Sequence, residues 1–319
     1  MSSSEIPVID FAIYGLNNAN TSSANQDEVK CLAASINAAL ENIGFCYLKN
    51  HGVPETLLKE YRETSREFFL LPDEMKEKYK RFRVPEEYTG WLGLEKEALN
   101  PKRPGDLREV FDYTPYGNLD GCPEDLCPDF LRTCDQFFKT VQDLAMRVLE
   151  VVAVGLQLPE EVARGVLDCH KLVGQKGNYT EIRTSYYPPI GDRALKPDQI
   201  RLGEHSDFGS LSLLFQDDAG GLEVCTRTGD YIPATPIPGT AVLKVGQILQ
   251  RWTADRLVAT KHRILIPDDR RFHERQSVVM FLCPDDDASI QCLDGSNKYP
   301  PTPFLEHLFK MMKELYAAK

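Results

Sequence analysis

Basic residues are scarce in this 319-residue chain, with 37 lysines and arginines against 48 acidic residues and a net charge of −11. Nucleic acids and anionic membranes demand a basic face, so neither is expected as a partner. No stretch approaches the roughly 18 uninterrupted apolar residues of a membrane-spanning helix. The N-terminal MSSSEIPVIDF is polar up to its proline and has no apolar signal-peptide core. The nine cysteines are an odd number, and Cys122 and Cys127 come nearest to a pair. No second pair or adjacent histidine makes a zinc set of them. Reduced thiols in a cytoplasmic compartment are expected. Gly-x-Ser-x-Gly, the P-loop and Gly-x-Gly-x-x-Gly are all missing, which removes the serine-hydrolase and nucleotide-binding signatures. No heptad pattern calls for a partner helix, so a monomer or weak oligomer is expected.

What is present changes texture along the chain. A short β-like segment, IPVIDF, opens it. A helix is expected over residues 26–43, with Val29, Leu32, Ile36 and Leu40 at helical spacing. GFCYLKNHGVP then reads as a strand and turn, and residues 55–72 as an amphipathic helix stopped by a proline. Residues 80–127 are irregular, with a short strand at 108–113. A long helix is expected over 129–156, its apolar stripe formed by Phe130, Phe137, Val141, Ala145 and Leu149. From about residue 180 the chain becomes a series of short β-like runs separated by turns, the pattern of a sandwich or barrel. A final helix is expected near 303–317. The organisation expected is an N-terminal helical and β region, 1–125, and a catalytic region, 126–319.

Only six histidines are available, and one stands in GEHSDFGSLSLLF. His205 and Asp207 are one residue apart, so in extended chain both side chains face one side. His262 begins another apolar run, HRILIP. Two imidazoles and one carboxylate form the facial triad of non-haem Fe(II) oxygenases, which leaves coordination positions open. In RQSVVMFLCP, strand parity puts Arg275, Ser277, Val279 and Phe281 on one face. An inward arginine is costly unless an anion pairs with it, and a guanidinium grips a carboxylate through two parallel hydrogen bonds. In RTSYYPP the same parity aligns Arg183, Ser185 and Tyr187. The bland alternatives are an internal ion pair for Arg275 and an amphipathic edge position for Tyr187.

Taken together, IPVIDF, GFCYLKNHGVP, SYYPP, GEHSDFGSLSLLFQDDAGGLEV, HRILIP and RQSVVMFLCP resemble, in order, the 2-oxoglutarate- and Fe(II)-dependent oxygenases of the isopenicillin-N-synthase-like family. The resemblance implies a mainly β fold with flanking helices around a double-stranded β-helix, or jelly-roll, core. It implies His205, Asp207 and His262 as iron ligands and as the catalytic centre. Arg275 and Ser277 would hold the far carboxylate of 2-oxoglutarate, with Tyr187 and Ser185 at the same co-substrate site. The cofactors implied are Fe(II), 2-oxoglutarate and O2, with ascorbate as a candidate reductant. The implied reaction oxidises a small molecule, usually by hydroxylation, and releases succinate and CO2. The sequence departs from the family pattern at Ser185, at Gln276 and in KVGQ (residues 244–247). Lys244 and Gln247 are expected to alter a turn and its packing rather than the chemistry.

A further likeness to fungal thymine-hydroxylase-like members points to Arg183, Phe208 and Phe281 as substrate contacts. Against that, Phe281 is also a plain core position, and Arg183 could pair with an acid such as Glu204. Tyr88 and Trp91, in EYTGWLGLE, could cover substrate or dock the N-terminal region. Two other classes stay open at the level of sequence. One is an iron oxidase or cyclase that does not use 2-oxoglutarate, and the other a cupin-like metal-binding protein that is not an oxygenase.

Overall fold

The computed structural model describes residues 5–19, 21, 25–81, 89–117 and 119–316. The N-terminal part contains β1 (Val8–Asp10), α1 (Gln26–Asn42), β2 (Phe45–Lys49), α2 (Glu55–Phe69), the single turn α3 (Asp73–Lys76), β3 (Gly90–Leu92) and β4 (Glu109–Tyr113). Two helices follow, α4 (Phe130–Gly155) and α5 (Glu160–Asp168). The β-rich part holds β5 (Glu181–Tyr187), β6 (Leu202–His205), β7 (Leu211–Gln216), β8 (Leu222–Cys225), β9 (Tyr231–Pro233) and β10 (Thr240–Val245). It continues with α6 (Gln247–Trp252), β11 (His262–Ile264), β12 (Arg275–Leu282), β13 (Ser289–Ile290), β14 (Thr302–Pro303) and α7 (Phe304–Tyr316).

Local chemistry explains the main boundaries. Asn25 caps α1, its side chain accepting from the Asp27 amide at 2.9 Å, which satisfies a donor the helix leaves unpaired. Leu32, Ala33, Ile36 and Leu40 form its buried stripe. In α4 the whole expected stripe, Phe130 to Leu149, is buried. Among the described residues, no helix is long and apolar enough to cross a membrane.

The strands form two principal sheets. One has eight strands in the order β1-β2-β10-β7-β12-β5-β4-β3, and the other four in the order β6-β11-β8-β9. The large sheet is buried on both faces and its side chains alternate accordingly. Leu211, Leu213, Phe215, Leu243, Val278, Met280 and Leu282 face the helices. Tyr47, Tyr187, Leu214, Val242 and Val279 face the small sheet, where they meet Leu202, Leu222, Val224 and Ile264. Two sheets closing on one interior make the jelly-roll core, and this interior opens into the candidate site.

Candidate active site

His205 ends β6 and His262 begins β11, and these two residues are direct cross-strand partners. Their ring centroids are 4.3 Å apart. Asp207, two residues beyond His205, points its Oδ1 at both imidazoles: 3.7 Å to His205 Nε2 and 3.6 Å to His262 Nε2. One ligating atom from each residue fits within a 4.8 Å span, close enough for a single ion to bridge.

The protonation chemistry suits a metal. Each Nδ1 faces a backbone carbonyl, Gly203 O at 2.9 Å for His205 and Thr260 O at 3.2 Å for His262. That contact places the proton on Nδ1 and leaves the Nε2 lone pair facing Asp207. Burial lowers His205 to about 4, with Asp207 opposing, and holds His262 well below its ordinary value. Both rings are therefore neutral donors at physiological pH. Burial pushes Asp207 up, but Lys244, His262 and His205 outweigh it and hold the carboxyl below the usual range. Two neutral imidazoles and an ionised carboxylate are the donor set that Fe(II) takes with positions to spare.

Lys244 corrects the sequence reading. It lies inside the site rather than in a turn. The residue sits on β10, on the same face as Val242, and is buried. Its Nζ is 2.6 Å from Asp207 Oδ2 and 3.3 Å from His262 Nε2. The ammonium thus engages the carboxylate oxygen that the histidines do not face. A lysine on an apolar strand is costly to bury unpaired, and parity alone could have flagged it. Gln247 is also near the site, its side chain donating to Ser206 Oγ at 2.8 Å.

Farther along the interior, Arg275 is fully buried. Its Nε donates to Gly220 O at 3.0 Å and its Nη1 to Ser277 Oγ at 3.0 Å. The guanidinium lies 4.9 Å from the Tyr187 ring centroid, and Arg275 and Tyr187 are direct partners across β12 and β5. Among the described residues no carboxylate pairs with Arg275, so this buried cation has only neutral acceptors. Arg62 and Arg201, which the sequence reading missed, stand near it. Burial lowers both, and Arg275 repels each. Three arginines thus gather at this end of the interior, with Asp217 acting on Arg62 and Arg201 from nearby.

Comparisons with known proteins agree with this geometry. Residues 178–284 match the model of the 2OG-Fe(II) oxygenase superfamily, and residues 6–127 match that of the non-haem dioxygenase in morphine synthesis N-terminal region. A proline hydroxylase of Petromyces alliaceus is 33% identical over 81% of this chain and 83% of its own length. The chain belongs to the 2-oxoglutarate- and Fe(II)-dependent oxygenases. A 2-oxoglutarate-dependent dioxygenase of Aspergillus rugulosus is 30% identical over 85% of this chain and 87% of its own. The thymine-7-hydroxylase of Neurospora crassa, solved with α-KG, superposes with a TM-score of 0.81 at 26% identity, covering 98% of this chain and 99% of that one. The protein is accordingly a 2-oxoglutarate-dependent non-haem iron dioxygenase, an oxidoreductase whose cofactors are Fe(II), 2-oxoglutarate and O2.

The oxygenase encloses a cavity of about 440 Å³ beside the triad. Tyr187, Ser185, Arg183, Phe208, Phe281 and Ser277 all reach it. Ser185 Oγ accepts from Arg108 Nη1 at 3.3 Å. Two sequence expectations change. The acid that holds Arg183 is Asp112 rather than Glu204, through Nε at 2.6 Å and Nη2 at 2.8 Å, while Nη1 donates to Glu97 at 3.2 Å. Glu204 instead accepts from Tyr231. Register brings this about, since Asp112 on β4 lies directly opposite Arg183 on β5. Trp91 does not line the cavity. Its indole is buried in the N-terminal region, with Nε1 donating to Glu109 at 2.8 Å and Lys76 over the ring. Tyr88 lies outside the described residues. Leu308, Met311 and Met312 of α7 form a wall that the sequence reading did not assign.

Proposed function

We propose that His205, Asp207 and His262 hold the iron of this oxygenase, and that Arg275, Ser277 and Tyr187 receive 2-oxoglutarate. A small molecule bound in the adjoining cavity is hydroxylated, with release of succinate and CO2. The observation that carries this reading is the convergence of both Nε2 atoms on Asp207 Oδ1 in the same interior as a buried arginine that lacks an anion. Bound Fe(II) supplies the redox chemistry with O2 and the 2-oxo acid.

The chain's own residues supply placement. The Gly203 and Thr260 carbonyls fix the two rings. Lys244 occupies Asp207 Oδ2, so that Oδ1 alone is offered to the metal. Arg275 provides a fixed charge for the far carboxylate, and Ser277 adds a hydroxyl beside it. Phe208, Phe281, Leu308 and Met311 make the reaction chamber largely apolar, which keeps water from the reacting centre. A relative named as a proline hydroxylase and a thymine-7-hydroxylase structure containing thymine support a small substrate, and a cavity of about 440 Å³ suits one. All nine cysteines are free thiols, which supports action in the reducing cytoplasm.

The test is anaerobic addition of Fe(II) and then 2-oxoglutarate to apo-protein, read by visible absorption. A weak charge-transfer band that requires both supports the reading. Asp207→Ala should abolish the band and all turnover. Arg275→Leu should raise the 2-oxoglutarate requirement roughly 100-fold, the order expected when a buried charged hydrogen-bond partner is removed. An Arg275→Leu variant with an unchanged requirement would move the co-substrate elsewhere.

A further inference from the structure

Strand β5 turns four residues toward the cavity: Glu181, Arg183, Ser185 and Tyr187. Tyr187 belongs to the 2-oxoglutarate end. Glu181 stands six residues away, about 20 Å along an extended strand, opposite Phe281 of β12. Glu181 is over nine-tenths buried.

Three arginines and three acids balance behind this wall, and Glu181 alone among them lacks a close partner. Arg183 is held by Asp112 and Glu97 through all three of its nitrogens. Arg81 pairs with Asp112 at 2.5 Å, and Arg108 with Glu97 at 3.1 Å. Glu181 has only a distant approach, its Oε1 lying 4.0 Å from Arg183 Nη2. Among the described residues its Oε2 has no hydrogen-bond partner. Arg108 Nε is also unbonded, but that guanidinium already has its carboxylate. An anion entering here would have to take an arginine from a bound acid, whereas a donor would meet a free acceptor.

We infer that Glu181 is a specificity-determining residue that accepts a hydrogen bond from a protonated nitrogen of the substrate, so that the oxygenase acts on a small amine. The inference rests on the reading of the cavity as the substrate chamber. The other walls nearby, Phe208, Phe281, Leu308 and Met311, are apolar. They suit the hydrocarbon part of such a molecule, while Glu181 offers a buried acceptor in a lining that also includes Tyr179 and Lys261. Burial, reinforced by Asp112 and opposed by Arg183, raises the Glu181 carboxyl to about 8. The rise disfavours the ionised carboxylate, and an ammonium arriving beside it would offset that penalty.

The test uses the anaerobic Fe(II)–2-oxoglutarate holoenzyme, whose charge-transfer band is recorded before any probe is added. Pyrrolidine, L-proline and cyclopentanecarboxylate are then titrated, and the change in the band is followed. The expected result is perturbation by at least one of the two amines, with cyclopentanecarboxylate at least tenfold weaker. Glu181→Gln should lose at least tenfold in affinity for that amine while forming the band at the wild-type 2-oxoglutarate concentration. The inference is overturned if cyclopentanecarboxylate binds as tightly as the amines, if Glu181→Gln binds them unchanged, or if neither amine binds at millimolar concentration. Failure to form the band at all would instead count against the proposed function, so the two ideas fail separately.

Discussion

An ammonium lies 2.6 Å from the Asp207 oxygen that the histidines do not face. It neutralises a buried carboxylate and fixes which oxygen is free. Lys244→Met should therefore destabilise the metal-free protein by roughly 3 kcal/mol, the cost of leaving one member of a buried pair alone. Saturating Fe(II) should recover much of that loss, since the metal becomes the counter-charge and binding stabilises the fold. Urea denaturation with and without Fe(II), under argon, checks both parts. A different histidine governs a pH effect. His170 is buried between Val166 O at 2.8 Å and Ser210 Oγ at 2.9 Å, and burial lowers it to about 4. Its folded pKa lies below the unfolded value near 6.5, so the unfolded chain takes up the proton first. This contribution to stability is complete above about pH 6.5 and declines by about 1.4 kcal/mol per pH unit as pH falls toward 4. Denaturation midpoints across that window should show a shallower slope for His170→Gln than for the parent chain. At this scale the His205–Asp207 and Arg275–Ser277 spacings are local and were visible in the sequence, whereas His262, on another strand, joined them as a ligand only through the family resemblance. Asp112 as the partner of Arg183 was not visible, because it depends on which strand lies beside β5.

The segment carrying Asp207 is clamped against the turn between β10 and α6. Gly246 N donates to Ser210 O at 2.9 Å, and Gln247 N to Asp207 O at 2.8 Å. A Cβ on Gly246 would stand 2.0 Å from Gly209 O, and one on Gly209 would stand 2.5 Å from Leu282 O. Three backbone segments thus approach more closely than any side chain allows, which is a use of glycine unrelated to its φ. Gly246→Ala should push Asp207 away from the histidines and weaken metal binding at least tenfold, an effect of the size seen when supporting groups around a metal are lost. Competition with a coloured chelator measures it. Most elements were legible because each repeats its apolar period over many residues, as α4 does. α3, β3, α5, α6, β13 and β14 were missed. β3 and α6 are only three and six residues long, too short for a period, and β3 exists through its pairing with β4.

In the whole molecule, the N-terminal strands are not an appendage. β2 pairs with β10 over five residues, and β4 pairs with β5 over five, so N-terminal strands flank both sides of the strands that carry Lys244, Arg275 and Glu181. The sequence showed a change of texture near residue 180, and that change is real in composition. Nothing in it signalled that one sheet passes through, because cross-strand register depends on residues far apart in the chain. The matched family regions, 6–127 and 178–284, are therefore interlocked in space although separate in sequence. Recombination between relatives meets this directly. A crossover placed between the two regions would marry a foreign β2 to this β10 and a foreign β4 to this β5, and the ladder Thr240 with Lys49, Val242 with Tyr47 and Lys244 with Phe45 would be inherited from two parents. Lineages of this architecture are expected to diverge as whole chains, and a shuffled library to yield working offspring only where those facing residues travel together.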